Sequence, residues 1–323
     1  MAQSPERFIP VFDHSAEANA GRMPSWIRLN LDGDPRYAET ARQVRRQGLN
    51  TVCTEARCPN RGECWNRGTA TFMLLGEVCT RACGFCSVQT GRPDWFDDDE
   101  PRRVAEAATG MGLDYVVLTS VNRDDMADGG AGIFARSLTE LRRRAPTMGV
   151  EFLTPDFRQD MDGAVATIAA AAAADPLPES EPVDLVWGHN IETVPRLYRT
   201  ARKGSRYERS LELLRRAAEL PRIHAKSALM LGLGETADEV TEVLRDLRAV
   251  GVQRIALGQY LRPTAHHLPV REYVTPEQFE AHAETARALG FEWVKAGPLV
   301  RSSYHAEERQ EQPAPGQPVQ EAP

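Results

Sequence analysis

The chain of 323 residues contains six cysteines, and all of them lie between positions 53 and 86. They form two triplets: Cys53, Cys58 and Cys64 in the first, and Cys79, Cys83 and Cys86 in the second. Each triplet is one ligand short of the four thiolates that close a tetrahedral zinc site or a cubane iron–sulfur cluster. A cluster held by three protein ligands leaves one iron open to another molecule. The spacing therefore indicates sites that take part in a reaction rather than sites that only stabilise the fold.

Bulk properties indicate a compartment in which these thiols stay reduced. The net charge is −7 and the pI is near 5.6. No apolar run reaches the length of a membrane span, and the N-terminus lacks a signal-peptide core. We expect a cytoplasmic protein whose clustered cysteines bind metal instead of forming disulfides. A membrane is not an expected partner, because no apolar run is long enough to span one. Nucleic acid is not expected either, because an acidic chain binds phosphate backbones poorly.

The second triplet has the spacing Cys-X3-Cys-X2-Cys and follows directly on an apolar run at 69–76. Its thiolates should therefore lie at the carboxyl end of a strand, where barrel enzymes place their chemistry. The short loop can wrap three corners of a [4Fe-4S] cluster and leave the fourth iron open. A zinc loop is the alternative. It would need a fourth ligand, and structural zinc sites usually pair two Cys-X2-Cys units, of which the chain has no second.

Apolar runs and amphipathic stretches alternate from residue 70 onward, which predicts a parallel sheet with helices on its outside. The predicted strands are 69–76, 114–121, 150–155, 183–188, 223–232 and 252–260. The predicted helices are 36–49, 101–111, 132–145, 160–174, 206–219, 236–250 and 276–289. Six βα units favour a partial (β/α)6 TIM-type barrel of the α/β class. Extensions at both termini would cover its cluster-bearing face.

The second triplet resembles that of the radical S-adenosylmethionine superfamily. The first triplet, with spacing Cys-X4-Cys-X5-Cys, and the motif Arg301-Ser302-Ser303-Tyr304-His305-Ala306 together resemble lipoyl synthase. This resemblance runs from about Pro24 to Ala306. Further matching stretches are 118–125, 128–130, 154–157, 189–197, 229–236 and 258–264.

The resemblance implies two [4Fe-4S] clusters and S-adenosylmethionine as cofactors. Cys79, Cys83 and Cys86 would hold the cluster whose open iron binds S-adenosylmethionine and generates a 5′-deoxyadenosyl radical. Cys53, Cys58 and Cys64 would hold an auxiliary cluster, with Ser303 as its fourth ligand and Ser302 as the alternative. That cluster would be consumed as the sulfur source. The implied reaction inserts sulfur at C6 and C8 of an octanoyl chain that is amide-linked to a lysine of a carrier protein.

Polar residues at two predicted strand ends are candidates for binding the cofactor. Thr119, Ser120 and Asn122 are well placed for the methionyl end of S-adenosylmethionine. Asn190 and Glu192, just after the strand at 183–188, could bind its ribose hydroxyls.

Several nearby residues have two readings. The run 123–125 could bind the cofactor or form a local ion pair. His189 is expected to be structural, because radical hydrogen abstraction needs no general base. Lys226 and Arg262 could bind a carboxylate or be solvated charges. His266 and His267 are expected at the surface or in contact with substrate. Gly232 and Gly234 allow either close approach of the backbone to the adenosyl group or a tight turn.

The expected organisation is an N-terminal extension (1–68), the barrel (69–290), a C-terminal segment (291–306) and a disordered tail (307–323). The resemblance implies octanoylated carrier domains as partners, such as the glycine cleavage H protein and the E2 subunits of 2-oxoacid dehydrogenases. It also implies a ferredoxin or flavodoxin as electron donor, and an iron–sulfur carrier protein. Competing readings are a biotin synthase-like enzyme, a transfer-RNA methylthiotransferase and a non-catalytic metal carrier.

Overall fold

The computed structural model describes residues 22–27, 49–51, 60, 63–64, 69–178 and 183–308. Cys53 and Cys58 lie outside the described residues. So do the predicted helix at 36–49, except for its last residue, and residues 309–323 of the tail predicted at 307–323.

The strands of the described chain include all six that the sequence predicts. They are β1 (Asn50–Thr51), β2 (Thr69–Leu74), β3 (Val78–Cys79), β4 (Gln89–Thr90), β5 (Tyr115–Ser120), β6 (Gly149–Leu153), β7 (Leu185–Gly188), β8 (Ile223–Leu231), β9 (Arg254–Gln259) and β10 (Trp293–Gly297). The main sheet has the order β1-β2-β5-β6-β7-β8-β9-β10, and β3 pairs with β4 in a small second sheet. All pairs in the main sheet are parallel except β1 with β2.

The helices follow the strands in alternation and include the six predicted for this part of the chain, with one further short helix. They are α1 (Glu100–Gly110), α2 (Ala131–Arg144), α3 (Met161–Ala174), the short α4 (Tyr198–Ala201), α5 (Tyr207–Ala218), α6 (Ala237–Ala249) and α7 (Pro276–Ala288). Capping boxes begin two of them: Thr236 with Glu239 in α6, and Thr275 with Gln278 in α7. These caps satisfy the first backbone N–H groups of each helix, so both helix starts are encoded locally.

The sheet is a partial barrel, as predicted, with β1 and β10 at its two ends. Among the described residues no pairing joins these end strands, so the barrel does not close. β10 is a seventh parallel strand that the sequence analysis did not predict. Its sequence WVKAG is buried only at its first two residues, because it is an edge strand. An edge strand of this kind lacks the continuous apolar run that marked the others. No described helix is both long and apolar enough to cross a bilayer.

An ion pair fills the amino end of the barrel. The Nζ of Lys226 donates to both carboxylate oxygens of Glu151 at 2.9 and 2.8 Å, and the two side chains are 2% and 1% exposed. Lys226 also lies 4.6 Å from the centroid of the Trp293 ring. Burial raises the pKa of Glu151 and lowers that of Lys226, while each charge opposes the shift of its partner. Lys226 therefore binds a carboxylate, as one reading held, but that carboxylate is the protein's own.

The C-terminal segment spans the open side of the barrel. Thr69, at the start of β2, donates its hydroxyl to Glu307 at 2.9 Å. Lys295, in β10, forms an ion pair with Glu308. Ala306, the last residue of the motif, is buried against Tyr115 and Val117 of β5. Residues 306–308 thus link the two parallel strands on either side of the opening.

Candidate active site at the carboxyl end of the barrel

The second triplet lies on one tight loop at the carboxyl end of the barrel. Cys79 ends β3, and its Sγ accepts from the backbone N–H groups of Asn122 at 3.3 Å and Arg81 at 3.5 Å. The backbone N–H of Cys86 donates to the carbonyl of Cys83 at 3.2 Å. The three thiols form no disulfide and are half-buried. Backbone donors aimed at sulfur are a common feature of iron–sulfur sites, where they stabilise thiolate charge.

Burial makes this loop unfavourable for thiolates in the absence of a cation. It raises the pKa of Cys83 to about 12, and the neighbouring Cys86 adds to the rise while Arg202 opposes it. Burial likewise raises the pKa of Cys86 to about 12. Three thiolates held together here need positive charge from bound metal, since coordination deprotonates a thiol. The donor set therefore fits a [4Fe-4S] cluster with three cysteine ligands.

A buried arginine inside the triplet anchors the loop. Arg81, between Cys79 and Cys83, donates to both carboxylate oxygens of Asp124 at 2.8 Å and to Asp156 at 2.5 Å. Its Nη1 also donates to the Ser205 hydroxyl at 3.0 Å. Burial alone would raise the pKa of Asp156, but the bonds to Arg81 and its charge hold that pKa below its usual value. The loop is thus fixed by ion pairs to residues that follow β5 and β6.

The ion pairs at 123–125 are only partly local. Arg123 donates to the carboxylate of Asp125 at 2.8 to 3.1 Å, as the ion-pair reading expected. Asp124 instead pairs with Arg81. The run therefore braces the cysteine loop.

A second loop, which follows β9, braces the triplet from the other side. The Leu268 N–H donates to the Gly84 carbonyl at 2.9 Å, and His267 Nε2 lies 3.0 Å from the Cys86 carbonyl oxygen. His267 is only 8% exposed, so of its two expected positions the surface one is wrong, and contact with substrate stays a prediction. Arg262 donates to the carbonyls of His267 and Ala265, so it closes this loop and is not merely a solvated charge. His266 is exposed, as expected.

The candidates at the end of β5 carry buried polar atoms that lack a partner among the described residues. These are the Ser120 hydroxyl and the Asn122 side-chain oxygen. The Thr119 hydroxyl donates to the Leu153 carbonyl at 2.8 Å. Buried polar atoms are nearly always hydrogen-bonded in native proteins. Two such atoms, next to the Cys79 sulfur through the Asn122 backbone, indicate a polar ligand at this point.

Glu192 and Asn190 approach the same loop from beyond β7. Glu192 has a φ of +66°, a region that costs energy for a residue with a side chain. Its backbone is fixed there by bonds to Ala228 and Met230, both at 2.9 Å. Asn190 donates to the Glu192 carboxylate at 3.1 Å. Burial raises the pKa of Glu192. Its charge also raises the pKa of Cys83 and Cys86, so the carboxylate lies near the cluster position.

His189 belongs to a buried hydrogen-bond network behind Glu192. The ring of His189 contacts the Thr154 carbonyl at 2.8 Å through Nδ1, and Ser210 at 3.0 Å and Arg202 at 3.2 Å through Nε2. Arg202 also donates to the Tyr198 hydroxyl at 3.0 Å. Burial, with the nearby Arg202 charge, lowers the pKa of His189 to about 3, so the ring is neutral. These contacts give His189 the structural role expected from the sequence.

The glycine pair after β8 makes a tight turn. Gly232 and Gly234 have φ values of +98° and +108°. The N–H groups of Gly232 and Leu233 donate to the Glu235 carboxylate at 2.5 and 3.0 Å. A Cβ on Gly232 would lie 2.3 Å from the Gln259 side chain, so no larger residue fits there. Of the two readings of this pair, the geometry favours the turn.

The C-terminal motif docks on the loop of the first triplet. The Asn60 side chain donates to the Leu299 carbonyl at 2.5 Å. The Tyr304 hydroxyl donates to the Glu63 carboxylate at 3.1 Å, and His305 Nε2 lies 2.8 Å from the same oxygen. These contacts join segments about 240 residues apart in the sequence. The motif therefore lies against Asn60 and Glu63, which are among the few described residues of the first-triplet segment.

Cys64 is the only ligand candidate of the first triplet among the described residues, and it follows Glu63 directly. Ser302 and Ser303 are half-buried in the docked motif. Cys53 and Cys58 lie outside the described residues, so the complete ligand set of this triplet stays a prediction.

The chain is similar to known proteins over most of its length. Residues 73–247 match the radical SAM superfamily. The chain is 51% identical over 309 residues to the lipoyl synthase of Symbiobacterium thermophilum, which covers 95% of this chain and 93% of that relative. The lipoyl synthase of Methylococcus capsulatus is 52% identical and covers 89% and 86%. The chain belongs to the lipoyl synthase family.

Two solved structures are more distant. Methylornithine synthase is 11% identical with a TM-score of 0.47, covering 88% of this chain and 86% of its own. SuiB of Streptococcus suis, bound to S-adenosylmethionine, is 12% identical with a TM-score of 0.48, covering 87% and 56%. At these scores neither structure contributes to the assignment.

Membership of the lipoyl synthase family confirms the cofactors predicted from the sequence, which are S-adenosylmethionine and [4Fe-4S] clusters. The structure adds residues that the sequence analysis missed: Arg81, Asp156, Arg202 and Glu235. The one available signal was a run of cations without acidic residues at 195–207, which includes Arg202. The pairing of Arg81 with Asp156 spans 75 positions and has no local signature.

Proposed function

We propose that this member of the lipoyl synthase family inserts two sulfur atoms, at C6 and C8, into an octanoyl chain amide-linked to a lysine of a carrier domain. The observation that carries this proposal is the docking of the Arg-Ser-Ser-Tyr motif on the first-triplet loop through Asn60 and Glu63. A radical enzyme with a single cluster would have no need to bring a distant serine pair to a second set of cysteines. The family assignment supports the same reaction.

The residues around the second triplet would bind and orient the cofactors. When bound, S-adenosylmethionine and the reduced cluster would supply a radical that abstracts hydrogen from an unactivated carbon. Cys79, Cys83 and Cys86 hold that cluster, while Arg81 and His267 keep their loop in one conformation. A loop fixed in this way keeps the open iron in one orientation, which radical chemistry on a defined carbon requires.

The polar atoms at the two strand ends would hold the cofactor itself. Thr119, Ser120 and Asn122 take its methionyl end, and the unpartnered oxygens of the last two support this role. Asn190 and Glu192 take the ribose hydroxyls. The carboxylate of Glu192 suits a diol, because it accepts two hydrogen bonds and is already held by Asn190.

The first triplet would hold the auxiliary cluster. Cys53, Cys58 and Cys64 provide three ligands, and Ser303, with Ser302 as the alternative, provides the fourth. A serine oxygen is a harder ligand than a thiolate and suits iron–sulfur clusters less well. It is therefore the ligand most easily displaced when the cluster gives up its sulfur. The bonds from Tyr304 and His305 to Glu63 support this placement, because they hold the residues that follow the serines against the residue that precedes Cys64.

The finer partners follow from this reaction. The carrier domains would be the glycine cleavage H protein or an E2 subunit of a 2-oxoacid dehydrogenase. A ferredoxin or flavodoxin would supply electrons, and an iron–sulfur carrier protein would rebuild the auxiliary cluster. The reaction would take place in the cytoplasm. The extension at 1–68, the barrel at 69–290 together with β10, and the rest of the segment at 291–306 would act as one unit around the substrate. The tail would begin after Glu308, because Glu307 and Glu308 contact Thr69 and Lys295.

Three single variants separate the two sites. We expect Cys83→Ala to lose both cofactor cleavage and sulfur insertion, because the radical cluster loses a ligand. Ser303→Ala should still cleave S-adenosylmethionine to 5′-deoxyadenosine but deliver little sulfur. Ser302→Ala is the matched control and should retain both activities. Liquid chromatography with mass spectrometry measures both products. Full sulfur insertion by Ser303→Ala would refute its role, and loss in Ser302→Ala would move the ligand to that residue.

A further inference from the structure

A basic patch stands out on this acidic protein. It consists of the exposed residues Arg158, Arg199, Lys203 and Arg206, which lie around a shallow concavity at Gly204 that also has one exposed carboxylate, Glu208, in its lining. Segment 195–207 contains five arginines and lysines and no acidic residue, although the whole chain carries a net charge of −7. Arg158, Arg199 and Arg206 form no ion pair with any residue that the structure describes. Such a surface favours an acidic partner.

The segment at 201–205, which carries part of the basic patch, contacts the loop of the radical cluster directly. The Gly84 N–H, between Cys83 and Cys86, donates to the Ala201 carbonyl at 2.9 Å. Ser205, inside the patch, accepts from Arg81 at 3.0 Å. A partner seated on the patch would therefore contact the same segment that holds the radical-cluster loop.

The basic patch lies away from the auxiliary site. The segment that carries most of it follows β7, which is in the middle of the sheet, between β6 and β8. The first-triplet loop and the C-terminal motif meet at the ends of the sheet, beside β1 and β10. A substrate that receives sulfur must reach the auxiliary site. The patch is therefore poorly placed for the octanoyl carrier and well placed for a partner that serves the radical cluster alone.

We propose that the basic patch docks an acidic one-electron donor protein of the flavodoxin or ferredoxin class. The inference rests on the proposed function, because only a cluster that must be reduced requires such a partner. In each transfer the donor is oxidised by one electron and the cluster at the second triplet is reduced by one. Electron transfer weakens steeply with distance, and the patch provides a short path through the 201–205 backbone. Charge complementarity would orient the donor and raise its association rate.

A charge-reversal variant with a matched control tests this docking. The patch variant is Arg158→Glu/Arg199→Glu/Arg206→Glu. The control is Arg143→Glu/Arg245→Glu/Arg287→Glu, which has the same change in net charge. Its three exposed arginines lie near the ends of α2, α6 and α7, at the amino end of the barrel. Neither variant alters a residue that we place in the cofactor site.

Formation of 5′-deoxyadenosine is measured with two reductants, a reduced acidic flavodoxin and photoreduced deazaflavin, which is small and uncharged. The flavodoxin-driven rate of the patch variant should fall by about tenfold or more at low ionic strength. Its deazaflavin-driven rate, and both rates of the control, should match wild type. Binding of oxidised flavodoxin, followed by biolayer interferometry, should weaken in the patch variant and become less sensitive to salt.

Three outcomes would overturn the proposal. Equal loss of rate with both reductants would mean that the basic patch supports the cysteine loop itself. An unchanged flavodoxin-driven rate would show that the donor docks elsewhere. Weakened binding of an octanoylated carrier domain with unchanged flavodoxin binding would assign the patch to the carrier. Failure of the proposed function looks different: wild type would cleave S-adenosylmethionine without inserting sulfur, and the docking result would stand.

Discussion

Arg81→Ala should release the radical-cluster loop from the barrel. Arg81 is 3% exposed and pairs with Asp156, which is 0% exposed, and with Asp124. Without it, Asp156 keeps only Arg209, at 2.7 Å, and Asp124 keeps no ion pair among the described residues. Removing one partner of a buried ion pair costs about 3–5 kcal/mol, because a charge is left uncompensated. With an unfolding entropy of about 2.1 cal/mol/K per residue, that cost corresponds to a fall in Tm of roughly 4–7 °C for a chain of 323 residues.

The loss of stability should affect the radical-cluster loop first, since Arg81 lies between two of its cysteine ligands. We therefore expect Arg81→Ala to hold less iron after anaerobic reconstitution and to form 5′-deoxyadenosine at least about tenfold more slowly. Arg81→Lys should be intermediate, because lysine keeps the charge but cannot donate to both carboxylates in a planar fork.

Arg222→Ala is the matched control. Arg222 makes an equally close two-pronged pair with Asp184, at 2.7 and 2.8 Å, at the amino end of the barrel. This variant should lower Tm but keep the iron content and cleavage rate of wild type. If Arg81→Ala and Arg222→Ala lost iron to the same extent, the anchoring role of Arg81 would be refuted.

Two further predictions concern the barrel. Burial raises the pKa of Glu100 to about 7 from 4.5, although the Leu75 N–H donates to its carboxylate at 2.8 Å. An acid with a raised pKa destabilises the folded state as pH rises from about 4.5 to 7. Glu100→Gln should therefore stabilise the protein by about 2–3 kcal/mol at pH 8 and little at pH 4, as measured by urea unfolding; an equal effect at both pH values would contradict this. Lys226→Met should cost about 3–5 kcal/mol by removing the closest cation from the buried Glu151 carboxylate, and adding Glu151→Leu should recover most of it. A double variant as unstable as the sum of the two singles would refute the pairing.

The sequence predicts those parts of the fold whose signals are local. Buried parallel strands such as β5 and β8 are continuous apolar runs, and the capping boxes of α6 and α7 lie within four residues. β10 escaped prediction because it is an edge strand with a short apolar run.

The site is predictable to the extent that its chemistry lies in residue type and spacing. The Cys-X3-Cys-X2-Cys spacing predicts one loop, and the structure places Cys79, Cys83 and Cys86 on it. The residues that hold this loop could not be found in this way. Arg81 meets Asp156 and His267 meets Cys86 only because the barrel brings separate loops to one edge. The docking of the C-terminal motif is also non-local and followed from family resemblance alone.

The most direct test of the two-site account is intact-mass analysis of an octanoylated carrier domain. The protein is reconstituted with sulfide labelled with a heavy sulfur isotope, freed of excess sulfide, and incubated anaerobically with S-adenosylmethionine and a reductant. We predict that two hydrogens of the octanoyl chain are replaced by two labelled sulfur atoms, and that Cys83→Ala yields none. An unmodified octanoyl chain alongside abundant 5′-deoxyadenosine, or unlabelled sulfur in the product, would contradict the account.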